Sequence, residues 1–194
     1  MESCYFKNYE QGDCWGYVAL KRNTFFQICH SVGKRTEETT NEFISILKIR
    51  LKEPTHDYKL NIFSDGNHSY ENALLNHYRR DVMNYGQLIK VKEGDILVDK
   101  IRRKIFGNPS YDEIETTAIE SYNSVLRNAI SRLVRRTKCY SKRRRMLDLC
   151  LEFNQTYNNF VKVYGKETPA MKEGLVDKKW DWNDIFYAKL TFVN

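Results

Sequence analysis

The chain has 194 residues, 41% hydrophobic and 29% charged, with a formal net charge of +7. That composition supports one domain with a packed core and excludes a disordered chain. It has no apolar run of the ~18 residues a bilayer span needs, and its first residues, MESCYFKNYEQ, lack a signal-peptide core, so no membrane partner is expected.

CWGYVALKRNTFFQICHSVG, residues 14–33, predicts two strands around a polar turn at Lys21, Arg22 and Asn23. Trp15, Tyr17 and Ala19 alternate with Gly16, Val18 and Leu20. Thr36, Thr39 and Thr40 are candidate N-caps for the next helix. Its apolar residues Phe43, Ile44, Ile46, Leu47 and Ile49 recur at helical spacing, and Pro54 stops it. KLNIFSD predicts a short strand ending at Asp65. YENALLNHY predicts one or two helical turns, followed by irregular short β segments through Leu97. From Tyr111 through Arg145 a single long helix is expected, apolar at Ile114, Ala118, Tyr122, Val125, Ala129 and Leu133 and capped by Ser110 or Asp112. Another of its faces carries Glu120, Asn123, Arg127 and Ser131, with Ser124 beside them. A second helix, about 141–164, is apolar at Met146, Leu149, Phe153, Tyr157 and Phe160. Beyond Gly165 lies a tail with Pro169, Trp180 and Trp182. The order strand, strand, helix, strand, helix implies a mixed α/β sheet.

The five cysteines form no CxxC and the four histidines no HxxxH pair. Neither a zinc site nor a disulfide framework is expected, and free thiols fit a cytoplasmic location. The positive charge is concentrated: between Lys100 and Arg145, thirteen Lys or Arg stand against four acids. Such a block suits a polyanion, nucleic acid first, or a solvated helix face beside a basic loop.

Three acids are placed for metal chemistry. Asp13 precedes the first strand, Asp65 ends a middle strand and Glu120 lies on the long helix, at intervals of 52 and 55 residues. Two or three carboxylates suffice to hold paired Mg²⁺ ions about 3.5–4 Å apart for phosphoryl transfer. Each acid also has a structural alternative: Asp13 as a loop acid, Asp65 as a turn acid in Asp-Gly, and Glu120 as a partner of Arg127 or a nearby Lys.

CWGYVALKR, SDGNHSYENAL and above all IESYNSVLRNAISRLVRRTKCYSK resemble the DDE transposases of small insertion sequences, the insertion-sequence-one family and its archaeal relatives. That family has a TDGW-x-x-Y segment with the second Asp, and an IE-x-x-N-x-x-LR helix with the Glu, followed by R-x-T-x-x-x-SK. The matches are Asp65-Gly66 with Tyr70, Ile119-Glu120, Asn123, Leu126-Arg127, Arg136-Thr137 and Ser141-Lys142, and TPAMKEGLVDKKWDWNDIF resembles a C-terminal segment of some relatives. The resemblance runs from about residue 10 to residue 190. It implies an RNase H-like mixed sheet flanked by helices in residues 1–165, with a helical C-terminal extension, 166–194, packing on or near it.

The implied activity is cleavage and strand transfer of DNA element ends into target DNA. Asp13, Asp65 and Glu120 would ligate two Mg²⁺ or Mn²⁺ ions, and the chain would act as a homo-oligomer on DNA. Asn123, Arg127, Arg132, Arg135, Arg136, Lys138, Lys142 and Arg143 would contact DNA. Arg102, Arg103 and Lys104 extend that track or sit on an inserted loop, and His68 serves near the metals or only at the surface. Two departures stand out. Strict register puts Gly12 where the family has its first Asp, with Asp13 one position on, and a one-residue shift in a strand reverses the side chain's facing. The family's N-terminal DNA-recognition module has no counterpart before the first strand, so a separate module is expected to supply it. The alternatives are a catalytically impaired DNA-binding remnant and a junction-resolving nuclease on the same fold.

Overall fold

The computed structural model describes residues 2–4, 14–94, 96–134 and 138–188. Glu2–Cys4 (β1), Cys14–Lys21 (β2) and Phe26–Gly33 (β3) form an antiparallel sheet in that order. The two-residue period divides β2 between two cores. Trp15, Tyr17 and Ala19 join Cys29 in one, and Cys14, Val18 and Leu20 join Val32 in the other.

Thr36 caps Glu37–Arg50 (α1), its Oγ1 accepting the Thr39 N–H at 3.3 Å. Phe43, Ile44 and Leu47 bury in the first core. Ile49, expected in the same stripe, is 82% exposed, because two residues beyond Leu47 lie about 200° around the helix.

Beyond Pro54 the chain builds a βαβ unit: Leu60–Asp65 (β4), Ser69–His77 (α2) and Met83–Glu93 (β5), with β5 parallel to β4. It then turns at Gly94, at φ +60°, into Ile96–Phe106 (β6), antiparallel to β5. The second sheet is therefore mixed, in the order β4-β5-β6. Where irregular short β segments were expected, β5 and β6 each run eleven residues. Ile89, Lys90, Val91 and Lys92 carry a strand period, and β4 pairs only with Met83–Leu88. The distal half of the pair is consequently a two-stranded ribbon projecting past the sheet.

The single helix expected from Tyr111 to Arg145 does not form. A 3₁₀ turn at Tyr111–Glu113 precedes Thr117–Ala129 (α3), and a second at Ser131–Leu133 precedes Arg144–Thr156 (α4). Burial of two isoleucines sets the breaks. Ile114 is fully buried on Gly86 of β5, where an added Cβ would sit 2.7 Å from Ile114 Cγ1. That contact keeps the chain out of helix at Ile114, where φ is −75° and ψ 85°. At the other end Ile130 adopts φ −118°, ψ 99°, and Ile130 and Leu133 enter the second core with Leu126, Leu147 and Leu151. The buried residues of α3 are Tyr122, Asn123 and Leu126, whereas Ala129, expected in the apolar stripe, is exposed.

The second expected helix divides into α4 and a π-helical turn, Tyr157–Val161. Its buried row is Leu147, Leu151, Asn154 and Asn158, while Met146, Leu149 and Phe153 are 46%, 45% and 53% exposed. The true row turns polar halfway, so hydrophobicity alone selects its neighbour. The amides beside that row, Gln155 and Asn159, cover the outer edge of β3. Asn159 Oδ1 accepts the Gln27 N–H at 2.9 Å and Asn159 Nδ2 donates to the Gln27 carbonyl at 2.9 Å, in place of a neighbouring strand.

Past residue 165, Thr168 caps Pro169–Lys172 (α5). Glu173 then ties back to the β2–β3 turn, accepting from Lys21 Nζ and Thr24 Oγ1, each at 2.5 Å. Trp182–Tyr187 (α6) starts at an Asp181–Asp184 capping box. Trp180 stacks on Phe160 at 4.6 Å and Trp182 on Phe153 at 5.5 Å, so the two indoles lie on α4 and its π turn, outside both cores. No helix among the described residues is long and apolar enough to cross a membrane.

Candidate active site

β4 is the edge of its sheet, and β2 pairs with β1 only through Cys14–Gly16. Between these two edges opens a cleft of about 1210 Å³, lined by Val18–Lys21 on one side and Leu60–Asp65 on the other. Alternation along β4 sends Ser64 to the first core, where its Oγ lies 2.8 Å from the Tyr85 hydroxyl. Phe63 and Asp65 then take the opposite face. The parallel register pairs Asp65 with Leu88, so Lys90, two residues on, shares that face. Lys90 Nζ lies 2.6 Å from Glu120 Oε1 on α3. Asp65 and Glu120 therefore line one cleft, Asp65 on the sheet face from which Lys90 reaches Glu120.

Asp65 is also a turn acid. Its Oδ1 accepts the Asn67 N–H at 3.3 Å, and Gly66 follows where an added Cβ would approach Ile89 Cγ1 to 3.2 Å. The Asp65 charge is felt below it: burial foremost, and then Asp65, hold the Tyr70 phenol well above its usual range.

Glu120 partners Lys90 and accepts the Thr116 hydroxyl one turn earlier. Partial burial pushes its carboxyl up. The hydrogen bonds from Lys90 and Thr116, with the charges of Lys90 and Lys100, outweigh that and hold it below the usual carboxylate range. Beside it, Glu115 is held low foremost by the Arg102 guanidinium, then by Thr117. Both glutamates are anions near neutrality.

Asn123 and Arg127, one and two turns beyond Glu120, line the same cleft, and Asn123 is buried. Arg132 donates to Ser141 Oγ at 3.2 Å. Arg132, Lys138, Lys142 and Arg143 are absent from the cleft wall, since the break after α3 disperses the basic face that one helix would have presented. Arg102, Arg103 and Lys104 lie on β6, and His68 is exposed before α2. Asp13, Arg135 and Arg136 lie outside the described residues. Lys90, Lys92, Lys100 and Thr116 are the residues sequence reasoning passed over. The period-two placement of Lys90 and Lys92 was the available signal.

Among the described residues no three His, Cys, Asp or Glu side chains converge on a metal-sized site. Asp65 and Glu120 offer two of the hard oxygen donors that Mg²⁺ or Mn²⁺ prefers. The ammonium on Glu120 marks a position that already accommodates a cation. Comparison with protein-family models, curated proteins and solved structures gives no match to this chain.

Proposed function

We propose that the chain is the RNase H-like catalytic domain of a DDE transposase, cutting DNA and joining the freed 3′ end to a target. The observation that carries this is the meeting, in one cleft, of Asp65 from a strand end and Glu120 from a helix, with Asn123 and Arg127 beside them. An RNase H-like sheet is supported by the spatial sequence β3-β2 facing β4-β5 across the cleft, with α1 and α3 on opposite faces of the first sheet. Residues 1–165 would form this domain and 166–194 its appendage.

Asp65 and Glu120 would hold Mg²⁺ or Mn²⁺, which when bound stabilises charge on the attacking and leaving oxygens of an in-line displacement. Arg127 would pair with a phosphate of the strand being cut, and Asn123, packed beneath the cleft, would fix the turn of α3 that presents Glu120. Water opens the P–O3′ bond to leave a 3′-OH and a 5′-phosphate. The 3′-OH then displaces a 3′ oxygen in the target strand. A binding-only remnant is favoured by one feature, the Lys90 ammonium already neutralising Glu120.

Incubating labelled fork DNA with Mg²⁺ separates these readings. Cutting and joined products are expected, both abolished by Glu120→Gln without loss of fold, and cutting is expected to rise in Gly12→Asp, which restores the family's acid at its strict register. Binding without cutting identifies the remnant, cutting without joining a nuclease, and retained cutting in Glu120→Gln removes Glu120 from the mechanism.

A further inference from the structure

The β5–β6 ribbon has two chemically different faces. The antiparallel register sets Lys90 directly opposite Lys100 and Leu88 opposite Arg102, so these three cations share a face, and Lys92 follows Lys90 at the strand period. This is the face carrying Asp65, and from it Lys90 reaches Glu120 and Arg102 reaches Glu115. The reverse face holds Ile89 paired with Ile101 and Val91 paired with Asp99. Like charges directly opposite one another destabilise a sheet. Glu115 and Glu120 neutralise Arg102 and Lys90, but Lys92 and Lys100 form no ion pair with any described residue. Both are exposed on a ribbon that no third strand among the described residues covers.

We propose that this ribbon is a nucleic-acid arm whose cleft-side face, through Lys92 and Lys100 with Lys90 and Arg102 behind them, grips the phosphodiester backbone of the DNA strand entering over Glu120. The proposal rests on the cleft being a DNA-cutting site. Cations on alternate residues recur about 6.8 Å apart along a strand, a spacing comparable with successive phosphates of one DNA strand. Bound phosphates supply the partner charge that Lys92 and Lys100 lack among the described ion pairs. On this view DNA is held both from α3, by Arg127, and from the sheet side, by a ribbon that follows the same strand away from the cut.

Binding of a labelled DNA duplex, followed by fluorescence anisotropy in EDTA over a series of salt concentrations, tests the arm apart from catalysis. Lys92→Gln/Lys100→Gln should weaken binding on the order of tenfold at 0.15 M salt and reduce the salt slope by about two, with no fall in melting temperature. Arg103→Gln removes a charge from the opposite face, where Arg103 pairs with Gln87, and should change neither. Equal losses per charge in the two proteins would make the effect one of net charge and overturn the arm. Wild-type affinity and slope in the double variant would also overturn it while leaving DNA as the partner. A wild-type protein that does not bind DNA would defeat both the arm and the DNA-cutting function it rests on.

Discussion

Lys90 and Glu120 form the ion pair on which the electrostatics of the cleft turn. The pair is about half exposed on the Glu120 side, so its contribution to stability is at most about 1 kcal/mol. Because the folded-state carboxyl of Glu120 is held below its unfolded value, that contribution is fully present above the unfolded value. It is lost as pH falls through the folded one. Lys90→Met should therefore lower stability to urea by about 0.5 kcal/mol at neutral pH, and the difference from wild type should vanish as pH falls through the lowered folded-state value of Glu120. A deficit that persists in acid would assign the effect of Lys90 to packing of its alkyl stem. On the proposed function a divalent ion at Glu120 would have to displace this ammonium, so the residue that pairs with the acid at rest would also compete for it.

Among the elements, α4 is the sharpest test of how the fold is specified. Leu147→Ala and Leu151→Ala each empty a fully buried site and should cost about 2–5 kcal/mol. Met146→Ala and Leu149→Ala, on the exposed row, should stay within about 0.5–1 kcal/mol. Denaturant midpoints for the four proteins decide the phase of the helix, and the reverse order would restore the row that hydrophobicity favours. This element also marks the limit of the sequence. The β2–β3 hairpin, α1 with its Thr36 cap and β4 ending at Asp65 were legible, because alternation, capping and a breaking proline act locally. The row through Asn154 and Asn158 was not, since its two amides bury against each other, Asn158 Nδ2 donating to the Asn154 carbonyl at 3.0 Å, beside Asn159, whose amide takes the edge of β3. Nor was the break after Ala129: neither Gly nor Pro marks it, and the demand of Ile130 and Leu133 for a core built by other elements produces it.

Across the whole molecule the acids could be named from the sequence but not placed. Asp65 and Glu120 are 55 residues apart. What unites them is the parallel crossover that sets β4 beside β5, together with the seat of Ile114 on Gly86 that starts α3 over the sheet. Among the described residues β4 and the part of β2 beyond Gly16 face each other without pairing, and this leaves a cleft where a continuous sheet would have none. The projecting β5–β6 ribbon is likewise a property of strand length, which no single residue announces.

The proposed function requires Asp65 and Glu120 to act together on a divalent cation. Mn²⁺ titration followed by electron paramagnetic resonance measures this without any DNA. Wild-type protein should bind Mn²⁺, Asp65→Asn and Glu120→Gln should each weaken binding at least about tenfold, and the double variant should lose little more than either single one, as expected for two ligands of a shared ion. Mn²⁺ affinity unchanged in either single variant would contradict the claim.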